Sequence, residues 1–258
     1  MPRFHRYVAL GDSTTEGLED PDGLGGYRGW ANRFAEHLAR AFGAIDYANL
    51  GLRGLRARDV HATQLGPALD MRPDLATVVA GVNDLLRPGF DADEVAGHVR
   101  AMVTALRAQG ATVLTFTMPD MARVNPLARL LRGRLAAMNE RLRETCRLTG
   151  ARLLDLAAHE LGGDPRLWDD DRLHANALGH ERIGKGLAHT AGLDGFSDWA
   201  APLPPAPARR LHDFVRAELR WSRTYFLPWL VRHARGESSG DGRTAKRPAL
   251  APLVAPPP

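Results

Sequence analysis

The 258-residue chain has a single cysteine, Cys146, so neither an intrachain disulfide nor a cysteine metal cluster can staple it. Set within a helical pattern, that thiol reads as a small buried side chain. No run of about 18 apolar residues occurs, which argues against a membrane-spanning helix. The opening Met1-Pro2-Arg3-Phe4-His5-Arg6 carries charge but no long apolar stretch before Gly11-Asp12, so the expectation is no signal peptide and a cytoplasmic location. Excess charge is also missing from most of the chain. The net charge is +4, yet residues 196–258 hold ten Lys/Arg against five Asp/Glu, a balance of +5 that leaves the first 195 residues at −1. That body gives no electrostatic reason to bind nucleic acid.

What is present is an ordinary globular composition, 44% hydrophobic and 25% charged, enough for one substantial core or a core with an appendage. The apolar runs are short and punctuated. Val8-Ala9-Leu10 closes in Gly11-Asp12-Ser13, Ile45 to Leu50 in Gly51, and Leu75 to Ala80 in Gly81-Val82-Asn83-Asp84. Thr112 to Thr117 closes in Met118-Pro119-Asp120, and Ala151 to Ala157 leads towards Trp168 to Asn176. Between them lie helical periodicities: Trp30, Phe34, Leu38 and Phe42 recur every four residues, and Val95, Val99, Met102, Val103 and Leu106 share a face. Helices are further expected over 57–71, 126–149 and 177–190. Five strands alternating with helices predict an α/β fold, a three-layer α/β/α sandwich on a five-stranded parallel sheet with right-handed crossovers.

Four of those strand ends carry polar groups suited to acyl transfer. Ser13 is a candidate nucleophile, and a serine hydroxyl needs a base to take its proton. His174 is the best placed of the ten histidines, with Asp171 three residues before it to hold the imidazole. Gly51 offers an unobstructed backbone N–H and Asn83 a side-chain amide for a developing oxyanion. Each has a plainer reading beside it. Ser13-Thr14-Thr15-Glu16 spells a helix capping box. Asp169-Asp170-Asp171 with His174 could be a solvated turn with Asn176 capping the next helix, and Gly51 and Asn83 are ordinary turn formers. A phosphate-cradling loop at Ser13 would meet repulsion from Asp12 and Glu16, and the His/Asp spacing near His174 matches no closed zinc site.

The conjunction of the four blocks resembles a known family. Gly11-Asp12-Ser13, Asn49-Leu50-Gly51 with Gly54, Gly81-Val82-Asn83-Asp84 and Asp171-Arg172-Leu173-His174 are similar, in this order, to the blocks of the SGNH, or GDSL-type, hydrolases, over residues 7–192. Thr14 stands where the family name has leucine, and Ala175 where proline is frequent. The resemblance implies a flavodoxin-like fold and a metal-independent, cofactor-free serine esterase. Its catalytic triad would be Ser13, His174 and Asp171, its oxyanion hole Ser13, Gly51 and Asn83, and its substrate a small carboxylic ester. Acyl transfer to an alcohol, a lipid ester as substrate, and a non-catalytic binding module are the alternatives.

The hydrolase domain is expected over residues 1–195. From Phe196 the character changes to a proline-rich linker with Pro202, Pro204, Pro205 and Pro207. A basic aromatic helix over 209–234 follows, with a kink expected at Pro228. That helix could pack on the body, lie on an anionic membrane surface or bind a partner. Residues 236–258, biased first to Ser/Gly and then to Pro/Ala, read as a disordered tail.

Overall fold

The computed structural model describes residues 3–205, 216, 218–228, 239–240 and 242–255. Strands β1 (Arg6–Gly11), β2 (Ile45–Asn49), β3 (Leu75–Val79), β4 (Thr112–Phe116) and β5 (Arg152–Leu154) are those expected from the apolar runs. They are mutually parallel in the order β5-β4-β3-β1-β2. Tyr7 lies opposite both Tyr47 and Leu75, which centres β1 in the sheet.

Because strand side chains alternate between faces, each face collects its own core. Tyr7, Ala9, Tyr47, Leu75 and Phe116 pack on one side with Trp30, Phe34 and Leu38 of α2 (Gly29–Phe42) and Leu187 of α7 (Ala177–Ala191). Val8, Leu10, Ala48, Val78 and Val113 pack on the other. Their partners are Val60 of α3 (Ala57–Asp70), Val99 and Met102 of α5 (Ala92–Ala108), and Met138, Leu142 and Cys146 of α6 (Arg132–Thr149). Two further helices are single turns, α1 (Ser13–Glu16) and α4 (Val82–Leu85), one at the end of β1 and one at the end of β3. The result is the expected three-layer α/β/α arrangement. The long helix expected over 126–149 begins as a 3-10 turn, Pro126–Leu131, and becomes α-helical from Arg132.

The sheet differs from expectation in having a sixth strand. β6 (Arg247–Leu253) joins the far edge antiparallel to β2, with Ile45 opposite Leu253 and Tyr47 opposite Ala251. It falls in the stretch expected to be disordered. Its Pro/Ala composition has little intrinsic drive to fold, but β2 presents an open row of backbone groups, and an edge strand tolerates prolines such as Pro248 and Pro252. The Arg247 guanidinium lies 5.2 Å from the Tyr47 ring centre. Leu253 and Ala255 add to one core and Leu250 to the other. Lys246, just ahead of the strand, donates to the carbonyls of Tyr27 and Arg28, both at 2.8 Å. Burial pulls its ammonium pKa down to about 8.

Of the basic aromatic segment, residues 216 and 218–228 are described; they are helical, and Trp221 packs on the body. A π-helical turn, Ser222–Phe226, ends two residues before Pro228, the local widening that a ring without an N–H favours. Phe214, Trp229, Leu230 and Pro207 lie outside the described residues.

His180 of α7 fastens the layer that carries α2. Its Nδ1 accepts the Trp30 amide at 3.0 Å, and its Nε2 donates to the Leu18 carbonyl at 2.9 Å. Burial pushes the imidazole pKa down to about 4, so the folded chain keeps it neutral, while an unfolded chain protonates it near pH 6.5. The linked stability is complete above pH 6.5 and is lost as the pH falls towards 4, on the order of 3 kcal/mol. Urea unfolding across that range should show the loss, and His180→Asn should flatten the part of the pH dependence that His180 causes.

Candidate active site

The strand order β5-β4-β3-β1-β2 reverses direction of winding between β1 and β3, and open α/β sheets keep their ligands in the crevice at such a point. α1 follows β1 there and α4 follows β3. Ser13 is the first residue of α1, and Asp12 is its cap: Oδ1 of Asp12 accepts the Thr14 amide and hydroxyl, both at 3.0 Å. The capping box read from Ser13 and Glu16 is therefore not formed. Glu16 instead takes the Arg53 backbone amide at 2.9 Å and pairs with the Arg53 guanidinium. Relieved of capping, the Ser13 hydroxyl meets Nε2 of His174 at 2.9 Å.

On the other side of that ring, Nδ1 of His174 lies 2.6 Å from Oδ2 of Asp171. The second oxygen, Oδ1, accepts the amides of Leu173 and His174, each at 2.9 Å. One carboxylate thus fixes both the turn and the imidazole. The loop is closed further by Asp169 N donating to the His174 carbonyl at 2.9 Å, and Asn176 caps α7 through the amides of Leu178 and Gly179.

Burial alone would lower the His174 pKa, but the hydrogen bond and negative charge of Asp171, helped by Asp12 and Glu19, outweigh it and raise it above the usual imidazole value. Asp171 is likewise buried, yet its bonds to His174 and the turn amides hold its pKa below the ordinary carboxylate value. Asp12 goes the other way. Its Oδ2 is buried with no hydrogen-bond partner, and burial lifts its pKa to about 6.

The other two residues singled out from sequence also reach this edge of the sheet. Gly51 lies against α1 so closely that a Cβ there would stand 2.6 Å from the Glu16 amide nitrogen. Its own N–H donates to the Asn49 side chain at 2.9 Å. The Asn83 amide gives one N–H to the Leu55 carbonyl at 2.9 Å, tying the turn after β3 to the one after β2. Asp84 reinforces that tie by accepting the Ala57 amide at 3.0 Å.

Two buried amides that bear on the site were not assigned roles from sequence. Asn49 donates to the Thr15 carbonyl at 2.8 Å while holding the Gly51 N–H, so it joins two of the turns. Gln64 of α3 takes the Gly11 N–H at 2.8 Å and donates to the Gly11 carbonyl at 2.9 Å. The cue for Gln64 was a polar residue on the inward face of α3. For metals, no three His, Cys, Asp or Glu side chains converge as a ligand set among the described residues.

A model of the GDSL-like lipase/acylhydrolase family matches residues 9–182, from the middle of β1 into α7. The chain belongs to that family. It is a carboxylic ester hydrolase of the GDSL type. Solved structures share the fold of this GDSL hydrolase. The acetyl xylan esterase Axe2 of Geobacillus stearothermophilus, as a single-site variant, matches at 17% identity and a TM-score of 0.62, covering 73% of this chain and 95% of its own. The acetyl xylan esterase AlAXEase matches at 20% identity and 0.60, covering 73% and 100%. The psychrotrophic esterase EstA of a Pseudoalteromonas species matches at 18% and 0.57, covering 72% and 96%. A search of curated proteins finds no match. No helix among the described residues is long and apolar enough to cross a membrane.

Replacing Gln64 by Leu would strand the Gly11 N–H in the core, at about 1–3 kcal/mol for the unmet group, while the Gly11 carbonyl keeps the Leu52 amide at 3.2 Å. Urea unfolding should show a loss of that order in this GDSL hydrolase, with a matching fall in ester hydrolysis as the turn ahead of Ser13 loosens.

Proposed function

We propose that the chain hydrolyses a small carboxylic ester through an acyl-enzyme on Ser13, with His174 as base and acid and Asp171 as its orienter. The observation that carries this reading is the unbroken relay from Ser13 Oγ to His174 Nε2 at 2.9 Å and from His174 Nδ1 to Asp171 Oδ2 at 2.6 Å. His174 Nε2 takes the hydroxyl proton as Oγ attacks the ester carbonyl carbon. The charge that gathers on the carbonyl oxygen faces the N–H groups of Ser13 and Gly51 and the side chain of Asn83. Such donors contribute about 3 kcal/mol each where they are preorganised.

The Gly51 N–H must turn from Asn49 Oδ1 or share its hydrogen between the two acceptors. Collapse of the tetrahedral intermediate breaks the ester C–O bond, and the imidazolium returns its proton to the departing alcohol. Water then attacks the acyl-enzyme with His174 again as base, releasing the acid and restoring Ser13. Asp171 keeps its negative charge throughout and stabilises each imidazolium. Two of the fold neighbours are named as acetyl xylan esterases, which supports a short acyl group as the first to try.

Ser13→Ala should abolish both hydrolysis of 4-nitrophenyl acetate and labelling by a fluorophosphonate; activity and labelling that survive in this variant would overturn the assignment. Because His174 works as a base only when neutral, and Asp171 raises its pKa, the acid limb of kcat/KM should lie above pH 6.5. Asp171→Asn should move that limb down and lower kcat by up to about 10⁴-fold.

A further inference from the structure

The family match ends at residue 182, yet the turn that holds Asp171 and His174 is gripped from well beyond it. Arg172, between them, has φ of 59°, a left-handed conformation that a long side chain rarely adopts without support. That support comes from the helix over 218–228. Glu218 accepts both terminal nitrogens of the Arg172 guanidinium, at 2.9 and 2.7 Å, the fork geometry that fixes direction as well as distance. Trp221 lies under the same guanidinium, 4.8 Å from it to the ring centre, and its indole N–H donates to the Asp171 carbonyl at 3.0 Å.

Trp221 is itself buried and stacked on Phe226 at 5.3 Å, so its N–H is held in place rather than swinging in solvent. The neighbouring Arg220–Asp170 pair, 2.9 Å apart, is exposed on both sides and adds little by comparison. Three contacts therefore hold the Asp171–Arg172 pair, one on the carbonyl of the peptide that joins them and two on the Arg172 guanidinium, and rotation of that peptide would swing the Asp171 carboxylate away from His174.

We infer that Glu218 and Trp221 are positioning residues of the active site, locking the Asp171-Arg172 peptide so that the Asp171 carboxylate stays against the His174 ring. The inference rests on Ser13, His174 and Asp171 acting as proposed above. It gives the basic aromatic segment a role within the reaction. That role is independent of any contact with a membrane or partner. The helix touches no reacting atom; it acts through the backbone of the turn. Its effect falls on kcat and on the base, while ester binding is left alone.

The test uses the full chain with three variants. Trp221→Phe removes the N–H and keeps most of the ring, Glu218→Ala removes the fork, and Glu218→Gln keeps an acceptor. Hydrolysis of 4-nitrophenyl acetate is measured against pH beside thermal unfolding and fluorophosphonate titration of competent sites. Trp221→Phe and Glu218→Ala should each lower kcat per titrated site by about tenfold with KM unchanged, the scale expected when a catalytic group loses its alignment.

Both should also move the acid limb of kcat/KM to lower pH, because His174 loses part of the Asp171 interaction, and Glu218→Gln should recover most of the loss. Variants that match the wild type in kcat and in the limb would overturn the inference. So would a loss of activity that only tracks the titrated fraction with the limb unmoved. If the wild type shows no Ser13-dependent hydrolysis, the serine-esterase reading falls and takes the inference with it, whereas an active wild type with indifferent variants removes the inference alone.

Discussion

The geometry at the head of the sheet depends on which side chain caps α1. Four residues make a helix too short to stabilise itself, and its first amides need an acceptor. Asp12 provides it from a fully buried position. If Ser13 were the cap, its oxygen would be turned to the backbone of its own helix, out of line with His174. Placing the cap one residue earlier leaves the hydroxyl facing across the crevice. The accompanying cost is a buried carboxylate with one unmet oxygen. That charge also lies near enough to His174 to favour its protonated form.

Around that turn the structure uses backbone clamps more than packing. Gln64 grips the peptide ahead of the nucleophile, Asn49 joins the nucleophile helix to the Gly51 turn, and Asn83 with Asp84 joins the next turn along. Each clamp is an amide or carboxylate bonded to main chain, and Asn49 bonds the Tyr47 hydroxyl as well. Such groups are costly to bury unless every bond is made, so the three turns are held at fixed spacing or the core is penalised. Rigid spacing is what a multi-residue reaction centre requires.

The five parallel strands and their helices were legible because buried parallel strands write themselves as short apolar runs and their helices as a 3.6-residue period. Ser13, Gly51 and Asn83 stood out because each lies where such a run stops, and His174, well beyond the fifth run, because Asp171 precedes it by three residues. The cap was misread because Ser-x-x-Glu and Asp-Ser-x-x overlap in sequence, and only the conformation at Asp12 separates them. Asn49 and Gln64 carried no distinctive spacing, since one buried polar residue at the end of a strand or on the inner face of a helix looks like any other. β6 was hidden for a different reason. Its partner is 208 residues away in sequence for the Ile45–Leu253 pair, and a strand that forms by borrowing an existing edge needs little hydrophobic pattern of its own.

That distance in sequence has a consequence for the order of assembly. During synthesis, all five parallel strands and the four polar blocks are available by about residue 192, while the outer edge of β2 has no mate until residues 247–253 have left the ribosome. For that interval a row of unpaired N–H and C=O groups is open to other nascent chains. Residues 218–228 are synthesised inside the same interval, so the segment that braces the Asp171 turn is made before the strand that covers the edge. A partly made chain therefore passes through a stage in which all four polar blocks have been synthesised and the outer edge of its sheet is still unpaired.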